Sequence, residues 1–500
     1  MSESAVQGTL LTADESTVES QAQFRRGIES LWPVRVDDAP GPALRRSRTR
    51  LSPGMFRRVA GWFSPVVEPA DPRNSPLARW ARGEGEELEA PKLLRPGAVG
   101  APPRSVLVIR TDEVGDLMMT LPLLMAMRAA WPQARVTLVT RGPWGELLRG
   151  ASLVDDVVTW DVESWTDSLA GQARCFRFAR KLIRTARPVH GRFDLAVLPR
   201  RDAEYFGARY IAGAAAVRVV AFDPADRLGP LGAPEVEQER ELITDLVCAG
   251  EPLHHVVQHG ERIAAEMGLT ITPDAYDAPG LALISPSDRD AARILLSPLS
   301  ASTGPLVAVM LSSPRARGVW PAYAQAINQV RRHLPVRVVL LGAVGDDALA
   351  EDFVRALNPT VPLVSAVGRA PLRTTLAVLA AADLYLGGVC DTMHLASSVA
   401  TACVALTCQP AHGNPVSPDA PNRIGPWSAG SQVVGPVRPA EGCGDACVAD
   451  DAHCIKNIGH GYVARAVIEV LTGSAIPPTA MVPAPSRSPE QLEAPGLTPA

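Results

Sequence analysis

Short apolar runs rich in β-branched residues alternate with helix-length segments over most of this chain. Runs of this kind are typical of parallel strands that are buried on both faces, each followed by a helix that crosses back over the sheet. They fall into an earlier and a later series. The earlier series comprises residues 105–110, 134–140, 155–160, 193–199 and 217–222, and the later series comprises residues 305–311, 336–342, 361–368, 382–388 and 402–407. The pattern predicts an α/β protein with two tandem, doubly wound, Rossmann-like parallel sheets and a ligand cleft between them.

Composition along the chain predicts four segments. Residues 1–104 are rich in proline and charge and have no sustained period, which indicates a low-order extension. Residues 105–284 are predicted to form the N-terminal Rossmann-like domain, and residues 285–473 the C-terminal one. Residues 474–500 contain seven prolines, which is typical of a flexible tail.

Charge, cysteine content and missing motifs exclude several functions. The net charge of −4 provides no general attraction to nucleic acid. The eight cysteines are too few for a disulfide scaffold, and no apolar stretch is typical of a signal peptide or a membrane span, so a cytoplasmic location is expected. Only three basic residues are lysine, which is typical of a GC-rich bacterial genome. Neither a G-x-G-x-x-G turn after a strand nor a P-loop is found, which argues against dehydrogenases and P-loop ATPases.

One part of the extension has a composition of its own. Residues 44–63 contain six arginines and no acidic residue, and their apolar groups would lie near one side of a short helix. This pattern fits peripheral contact with the inner face of a membrane. An arm that is solvated or packed on its own protein is favoured over membrane contact.

The turn after the first predicted strand carries the residues of greatest chemical interest. Arg110 ends the strand, and Gly115 and Asp116 follow at the expected start of a helix. A carboxylate there projects over the carboxyl edge of the sheet, where ligands bind. Asp116 is therefore either a general base or an N-cap of the helix.

Several segments together resemble a known family. The run VLVIRTDEVGDLMMTLPLLMAMRAAWPQARVTLVTR, then FDLAVLP, VWPAYAQAI, ADLYLGG with MHLASSVATACVAL, and finally the cysteines before CIKNI are similar to the heptosyltransferase family of GT-B glycosyltransferases, glycosyltransferase family 9. The resemblance implies inverting transfer of a heptose-like sugar from a nucleotide-diphosphate donor, ADP-linked, to a glycan or glycolipid such as a lipopolysaccharide core. It implies an N-terminal acceptor domain, a C-terminal donor domain and no metal or other cofactor.

The resemblance also implies roles for individual residues. Asp116 matches the aspartate that is held to be the catalytic base, and Asp112 and Gly115 belong to the same acceptor-side motif. In the family a lysine lies two residues before a Trp-Pro pair on the donor side; here Gly318 occupies that spacing, and Arg315 and Arg317 are the cations that could serve instead. Met393 and His394 match the end of the donor-phosphate motif G-x-D-[ST]-G-x-M-H-L-A. Asp391 and Thr392 take the part of its Asp-[ST] pair if two residues are deleted, whereas without gaps Asp391 falls at the motif's glycine.

The donor motif departs from the family pattern because its glycine is missing, whichever way the segment is aligned. A phosphate-binding turn that needs close backbone approach would be altered by this change. The alternative function is therefore a catalytically degenerate binding or scaffold protein with the same fold.

Two further clusters could bind metal. Cys443, Cys447 and Cys454, with His453, are weak candidates, and thiols or a local disulfide are favoured over a metal site. His255 and His259 lie four residues apart in a predicted helix, and a solvent-facing pair is favoured over a shared ligand.

Overall fold

A computed structural model describes most of the chain between residues 102 and 473. The described residues are 92–93, 102–166, 168–200, 207–223, 242–248, 255–312, 319–409, 420–437, 440, 443 and 453–473. Residues 44–63, Arg315, Arg317, Cys447 and the predicted tail lie outside them.

The first sheet has seven parallel strands. They are β1 (Lys92–Leu93), β2 (Ser105–Arg110), β3 (Arg135–Arg141), β4 (Asp156–Trp160), β5 (Phe193–Leu198), β6 (Ala216–Phe222) and β7 (Asp245–Val247). Their order is β1-β7-β6-β5-β2-β3-β4, and the register pairs Val106 with Leu195 on one side and Val136 on the other. The predicted strands are confirmed, but β1 and β7 were not predicted. Because β1 pairs with β7, Lys92 and Leu93 belong to the sheet, although they fall within the predicted low-order extension.

The second sheet has six parallel strands. They are β8 (Leu306–Met310), β9 (Arg337–Leu341), β10 (Leu363–Ser365), β11 (Leu384–Gly388), β12 (Ala402–Leu406) and β13 (Gln432–Val434). Their order is β10-β9-β8-β11-β12-β13. In the first sheet the chain adds β3 and β4 on one side of β2 and then places β5, β6 and β7 on the other side, so the switch point lies between β2 and β5. In the second sheet it adds β9 and β10 on one side of β8 and then β11, β12 and β13 on the other, so the switch point lies between β8 and β11. Crevices at the carboxyl ends of such switch points are where α/β sheets bind ligands.

The helices cover the faces of these sheets. They are α1 (Val114–Met118), α2 (Leu121–Ala130), α3 (Leu169–Ala186), α4 (Ala208–Ala215), α5 (His259–Glu266), α6 (Asp274–Asp277), α7 (Pro286–Leu296), α8 (Tyr323–Val330), α9 (Asp347–Ala356), α10 (Leu372–Ala381), α11 (Asp391–Ser398), α12 (Pro421–Ile424) and α13 (His460–Thr472). None of the helices that the structure describes combines the length and the apolar character needed to cross a membrane.

One hydrophobic cluster is shared by the two sheets. It contains Val108 and Leu138 from the first sheet and Met310 and Ala405 from the second. Two other clusters lie on the remaining faces, one for each sheet. The two halves are therefore joined by packed apolar side chains in addition to the connecting chain.

Arg373 of α10 adds a polar link between the halves. Its Nη1 donates to the carbonyl of Glu146 at 2.8 Å, in the 3-10 turn that follows β3. Its Nη2 donates to the carbonyl of Leu283 at 2.9 Å, and its Nε donates to Asp288 at 3.1 Å, both in the connector between the sheets. Because Arg373 donates to backbone carbonyls of separate elements, its loss removes hydrogen bonds that link them.

We expect Arg373→Met to reduce the free energy of unfolding by about 1–3 kcal/mol, since it removes several charge-assisted hydrogen bonds. Urea denaturation followed by tryptophan fluorescence measures the change. Arg355→Met is the matched control, because Arg355 is 74% exposed and, among the residues that the structure describes, forms an ion pair only with Asp352 of its own helix. Its effect should stay within about 0.5 kcal/mol. Equal effects of the two substitutions would contradict the proposed link.

Candidate active site

The turn between β2 and α1 lies at the switch point of the first sheet. Asp116 is the third residue of α1, and Glu113 is the N-cap, with no side-chain cap on the helix. Asp116 is therefore not the capping residue, which removes one of the two roles considered for it. Its side chain is 26% exposed, so it is neither sealed in the core nor free in bulk solvent.

Arg110 holds the acidic groups of this turn in place. The guanidinium is 3% exposed, and its Nη2 lies 3.0 Å from Asp116 Oδ1 and its Nε 2.9 Å from Asp112 Oδ1. Its Nη1 donates to the carbonyl of Pro199 at 3.0 Å. Arg200 completes the group, with its Nη1 2.8 Å from Asp112 Oδ2. The rigid fork of Arg110 thus orients Asp116 from the buried side.

The neighbouring carboxyls are affected by burial. Burial raises the pKa of Asp112 to about 6, against the opposing effect of Arg110, with a further increase from Asp116. Burial also raises the pKa of Glu113, although the Arg141 guanidinium that pairs with Glu113 opposes the shift. Asp112 is thus buried, whereas Asp116 is partly exposed and lies near Asp391 and His394 of α11.

The opposite wall of the crevice touches the same turn. The amide of Gly115 donates to Asp391 Oδ1 at 3.0 Å, although the two residues are 276 positions apart. A Cβ on residue 115 would lie 2.5 Å from His394 Cδ2 and 2.7 Å from Asp391 Oδ1. Glycine is required here because α11, at the switch point of the second sheet, approaches the backbone closely. The contact joins the predicted acceptor-side motif to the predicted donor motif.

Asp391 faces a cluster of like charges. Its half-buried carboxyl has a pKa raised to about 7, first by burial, then by the nearby Glu113 and Asp116, while the Gly115 amide opposes the shift. Near neutral pH this carboxyl is therefore partly protonated. In the alignment without gaps the family motif has its glycine at this position, and a carboxylate there repels phosphate.

His394 lies behind Asp391 in an aromatic group. Its ring is stacked on Trp427 with 5.6 Å between centroids, and burial lowers its pKa to about 3, so the ring is neutral near pH 7. His394 Nδ1 and Trp427 Nε1 are buried and have no hydrogen-bond partner among the described residues. Neutral polar atoms of this kind can bind a ligand by hydrogen bonds but contribute no charge.

The histidine pair of the connector does not face solvent as expected. His255 caps a 3-10 turn, and its Nε2 donates to the carbonyl of Gly425 at 2.9 Å. His259, the first residue of α5, is 6% exposed and lies edge-on to Phe222. The expectation of a solvated face was wrong because both rings pack against neighbouring elements.

The structure brings together part of the predicted site. Asp112, Gly115, Asp116, Asp391 and His394 form one group at the crevice. Thr392 is half-buried beside them, whereas Met393 is fully buried in the shared cluster. Sequence reasoning assigned no role to Arg110, Arg200 or Trp427; Arg110 was marked only by its position at the end of a strand, and nothing local marked Trp427.

Comparisons with known proteins give structural matches only. No protein-family model and no curated protein matches the sequence. A glycosyl transferase family 9 structure from Veillonella parvula matches with a TM-score of 0.57 and 18% identity, covering 74% of this chain and 98% of that one. The ADP-heptose lps heptosyltransferase II of E. coli matches with a TM-score of 0.51 and 18% identity, covering 74% and 99%. The E. coli heptosyltransferase WaaC, solved with ADP, matches with a TM-score of 0.51 and 16% identity, covering 73% and 99%.

The chain has the GT-B fold. This confirms the predicted fold class, and at the level of fold it confirms the resemblance to family 9. In the GT-B arrangement the crevice between the two sheets is the region occupied by the contact between Gly115 and α11.

We expect Gly115→Ala to separate α1 from α11, because the added Cβ would overlap both Asp391 and His394. The overpacking should cost about 1–3 kcal/mol and accelerate hydrogen exchange of the α11 amides by about 5- to 150-fold. Gly461→Ala is the control, since the nearest atom to its Cβ would be 3.7 Å away in Gln329. Unchanged exchange in α11 would show that the two walls do not depend on this contact.

The raised pKa of Asp391 predicts a pH-dependent stability. Since its pKa is raised from near 4 to about 7, the folded protein binds more protons than the unfolded chain in this window, and the contribution of Asp391 to stability falls as pH rises from about 4 to about 7. Asp391→Asn removes this dependence and retains an oxygen for the Gly115 amide. We expect the difference in melting temperature, variant minus wild type, to be more positive at pH 8 than at pH 5. A difference that is independent of pH, as expected for the exposed control Asp290→Asn, would contradict the assignment.

Proposed function

We propose that this chain is an inverting glycosyltransferase that moves a heptose-like sugar from a nucleoside-diphosphate donor to a hydroxyl of a glycan or glycolipid. The observation that carries the proposal is the position of Asp116. Arg110 holds this carboxylate at the carboxyl edge of the first sheet, partly exposed in the crevice of a GT-B fold.

In the proposed step, the acceptor hydroxyl oxygen attacks the anomeric carbon of the donor sugar. The bond from that carbon to the diphosphate oxygen breaks, and its electron pair leaves with the nucleoside diphosphate. The hydroxyl proton passes to Asp116. An ordinary carboxylate is a weak base, so its effect depends on holding the hydroxyl within hydrogen-bond distance.

The contacts of Asp116 suit this role. Oδ1 is occupied by Arg110 at 3.0 Å, and within the described part of the chain no hydrogen bond reaches Oδ2. Thr120 Oγ1 donates to the backbone carbonyl of Asp116 at 2.9 Å and fixes the helical turn that carries it. Oδ2 is thus the atom that we propose receives the proton.

The donor is proposed to lie along the second sheet, near Thr392 and His394, with the diphosphate neutralised by Arg315 and Arg317. These arginines lie outside the described residues. His394 is neutral, and its Nδ1, which is buried and has no hydrogen-bond partner among the described residues, could bind a sugar hydroxyl only once this wall opens. We propose an ADP-linked donor and no metal ion in the transfer step. Met393 is proposed to support this wall from the core rather than to contact the donor.

One observation favours a second function, that of a catalytically degenerate binding or scaffold protein. Asp391 stands three residues before His394, where the family motif has its glycine, and α11 is continuous between them. Its carboxyl fills the space against Gly115 and adds to the negative charge around a diphosphate. Under this second function the crevice holds the two halves together without binding a nucleotide. The membrane contact of residues 44–63 stays a prediction under either function.

We expect Asp116→Asn to reduce transfer from an ADP-sugar, measured as release of ADP in the presence of an acceptor glycolipid, by at least about 100-fold. Calorimetry should give a dissociation constant for ADP within about threefold of the wild-type value, because the substitution changes the base and not the donor wall. The control is Asp352→Asn, whose side chain is 68% exposed and remote from the crevice. Retained turnover in Asp116→Asn would exclude it as the base. If the wild type binds neither ADP nor UDP at millimolar concentration, the scaffold function is favoured.

A further inference from the structure

Two sulfur atoms and an imidazole nitrogen meet in a cluster away from the crevice. Cys443 Sγ lies 3.2 Å from His453 Nε2, and Cys454 Sγ lies 4.0 Å from the same nitrogen. All three atoms lie within 4.8 Å of one another. Cys454 is fully buried, Cys443 is 8% exposed and His453 is half-buried. No disulfide joins any two of the described cysteines, so a disulfide between Cys443 and Cys454 does not account for the cluster.

The sulfur–nitrogen separations bracket the value expected for ligands around one tetrahedral zinc ion. With Zn–S near 2.3 Å and Zn–N near 2.0 Å, sulfur and nitrogen ligands are about 3.6 Å apart and two sulfur ligands about 3.8 Å apart. The two measured sulfur–nitrogen distances lie on either side of the first value. In addition, the amide of Ala440 donates to Cys454 Sγ at 3.2 Å. A backbone N–H directed at sulfur stabilises a thiolate, the form that binds metal.

We propose that Cys443, His453 and Cys454 bind a structural zinc ion. Soft thiolate and imidazole ligands select zinc over calcium or magnesium, which take oxygen ligands. Two zinc–sulfur bonds form as the two thiols lose their protons to solvent, and no atom is oxidised or reduced. The third protein ligand is His453 Nε2. These three residues supply three of the four positions that a closed structural site requires.

The His453 ring must adjust when the metal binds. Its Nδ1 accepts from the amide of Cys454 at 2.5 Å, which leaves the ring proton of a neutral histidine on Nε2. Zinc at Nε2 moves this proton to Nδ1. Nδ1 then carries a proton and no longer accepts from the Cys454 amide, so this hydrogen bond is lost.

The proposed site stabilises the C-terminal part of the second half. Cys454 begins a 3-10 turn that leads into α13, and Ile455 and Ile458 of this segment are buried in the hydrophobic cluster of that half. The carbonyl of Ile458 accepts from Trp320 Nε1 at 3.1 Å, and Trp320 is 2% exposed. A metal at Cys454 would therefore rigidify the segment that anchors Trp320, just after the residues predicted to bind the donor. This inference does not depend on the proposed sugar transfer.

The test is metal analysis of the full-length chain purified from zinc-supplemented cells. We expect inductively coupled plasma mass spectrometry to find about one zinc per chain. X-ray absorption spectroscopy should show two sulfur ligands near 2.3 Å and a nitrogen ligand near 2.0 Å from the zinc. Cys443→Ser and Cys454→Ser should each lower the zinc content at least about fivefold. Cys175→Ser is the matched control, since Cys175 is also fully buried but lies in α3, and it should retain the metal.

A measurement on the wild type guards against variants that fail to fold. Addition of a mercurial thiol reagent should release the zinc in proportion to thiol modification, followed with a colorimetric zinc chelator. Less than about 0.2 zinc per chain after zinc loading would overturn the proposal, as would undiminished zinc in Cys443→Ser. Iron with visible charge-transfer absorption in place of zinc would overturn it too.

Discussion

The close approach of α11 to the backbone at Gly115 determines how the two halves of this molecule meet. Because Gly115 has no Cβ, the turn after β2 can approach α11 closely enough for the Gly115 amide to donate to Asp391. The two segments lie at the switch points of separate sheets. The acidic residues of both loops are thereby gathered at one place, and Arg110 and Arg200 are needed to offset their charge. The altered pKa values of Asp112 and Asp391 follow from this gathering and from burial.

Most of the fold could be predicted because buried parallel strands produce continuous β-branched runs. β2 is reproduced residue for residue, and seven of the other nine predicted strands differ from the observed bounds by no more than one residue at either end. β1, β7 and β13 escaped prediction because strands of two or three residues generate no recognisable period. Such short strands form because they pair with a neighbouring strand, as β1 pairs with β7.

The candidate site was predictable in position but not in its contacts. The end of β2 and the following glycine located Asp116, since parallel strands direct their carboxyl ends to one edge. The hydrogen bond between Gly115 and Asp391 spans 276 residues and depends on how the halves dock, which no local pattern encodes. The stacking of Trp427 on His394 likewise depends on a loop after α12, and the burial of His259 on Phe222 of β6.

The hydrophobic cluster shared by the two sheets has a consequence for how the chain can be divided. Because Val108 and Met310 belong to the same packed interior, cutting the chain between the sheets would expose apolar surface on both fragments. Any movement that admits a large molecule to the crevice has to pivot around this interior and leave it intact.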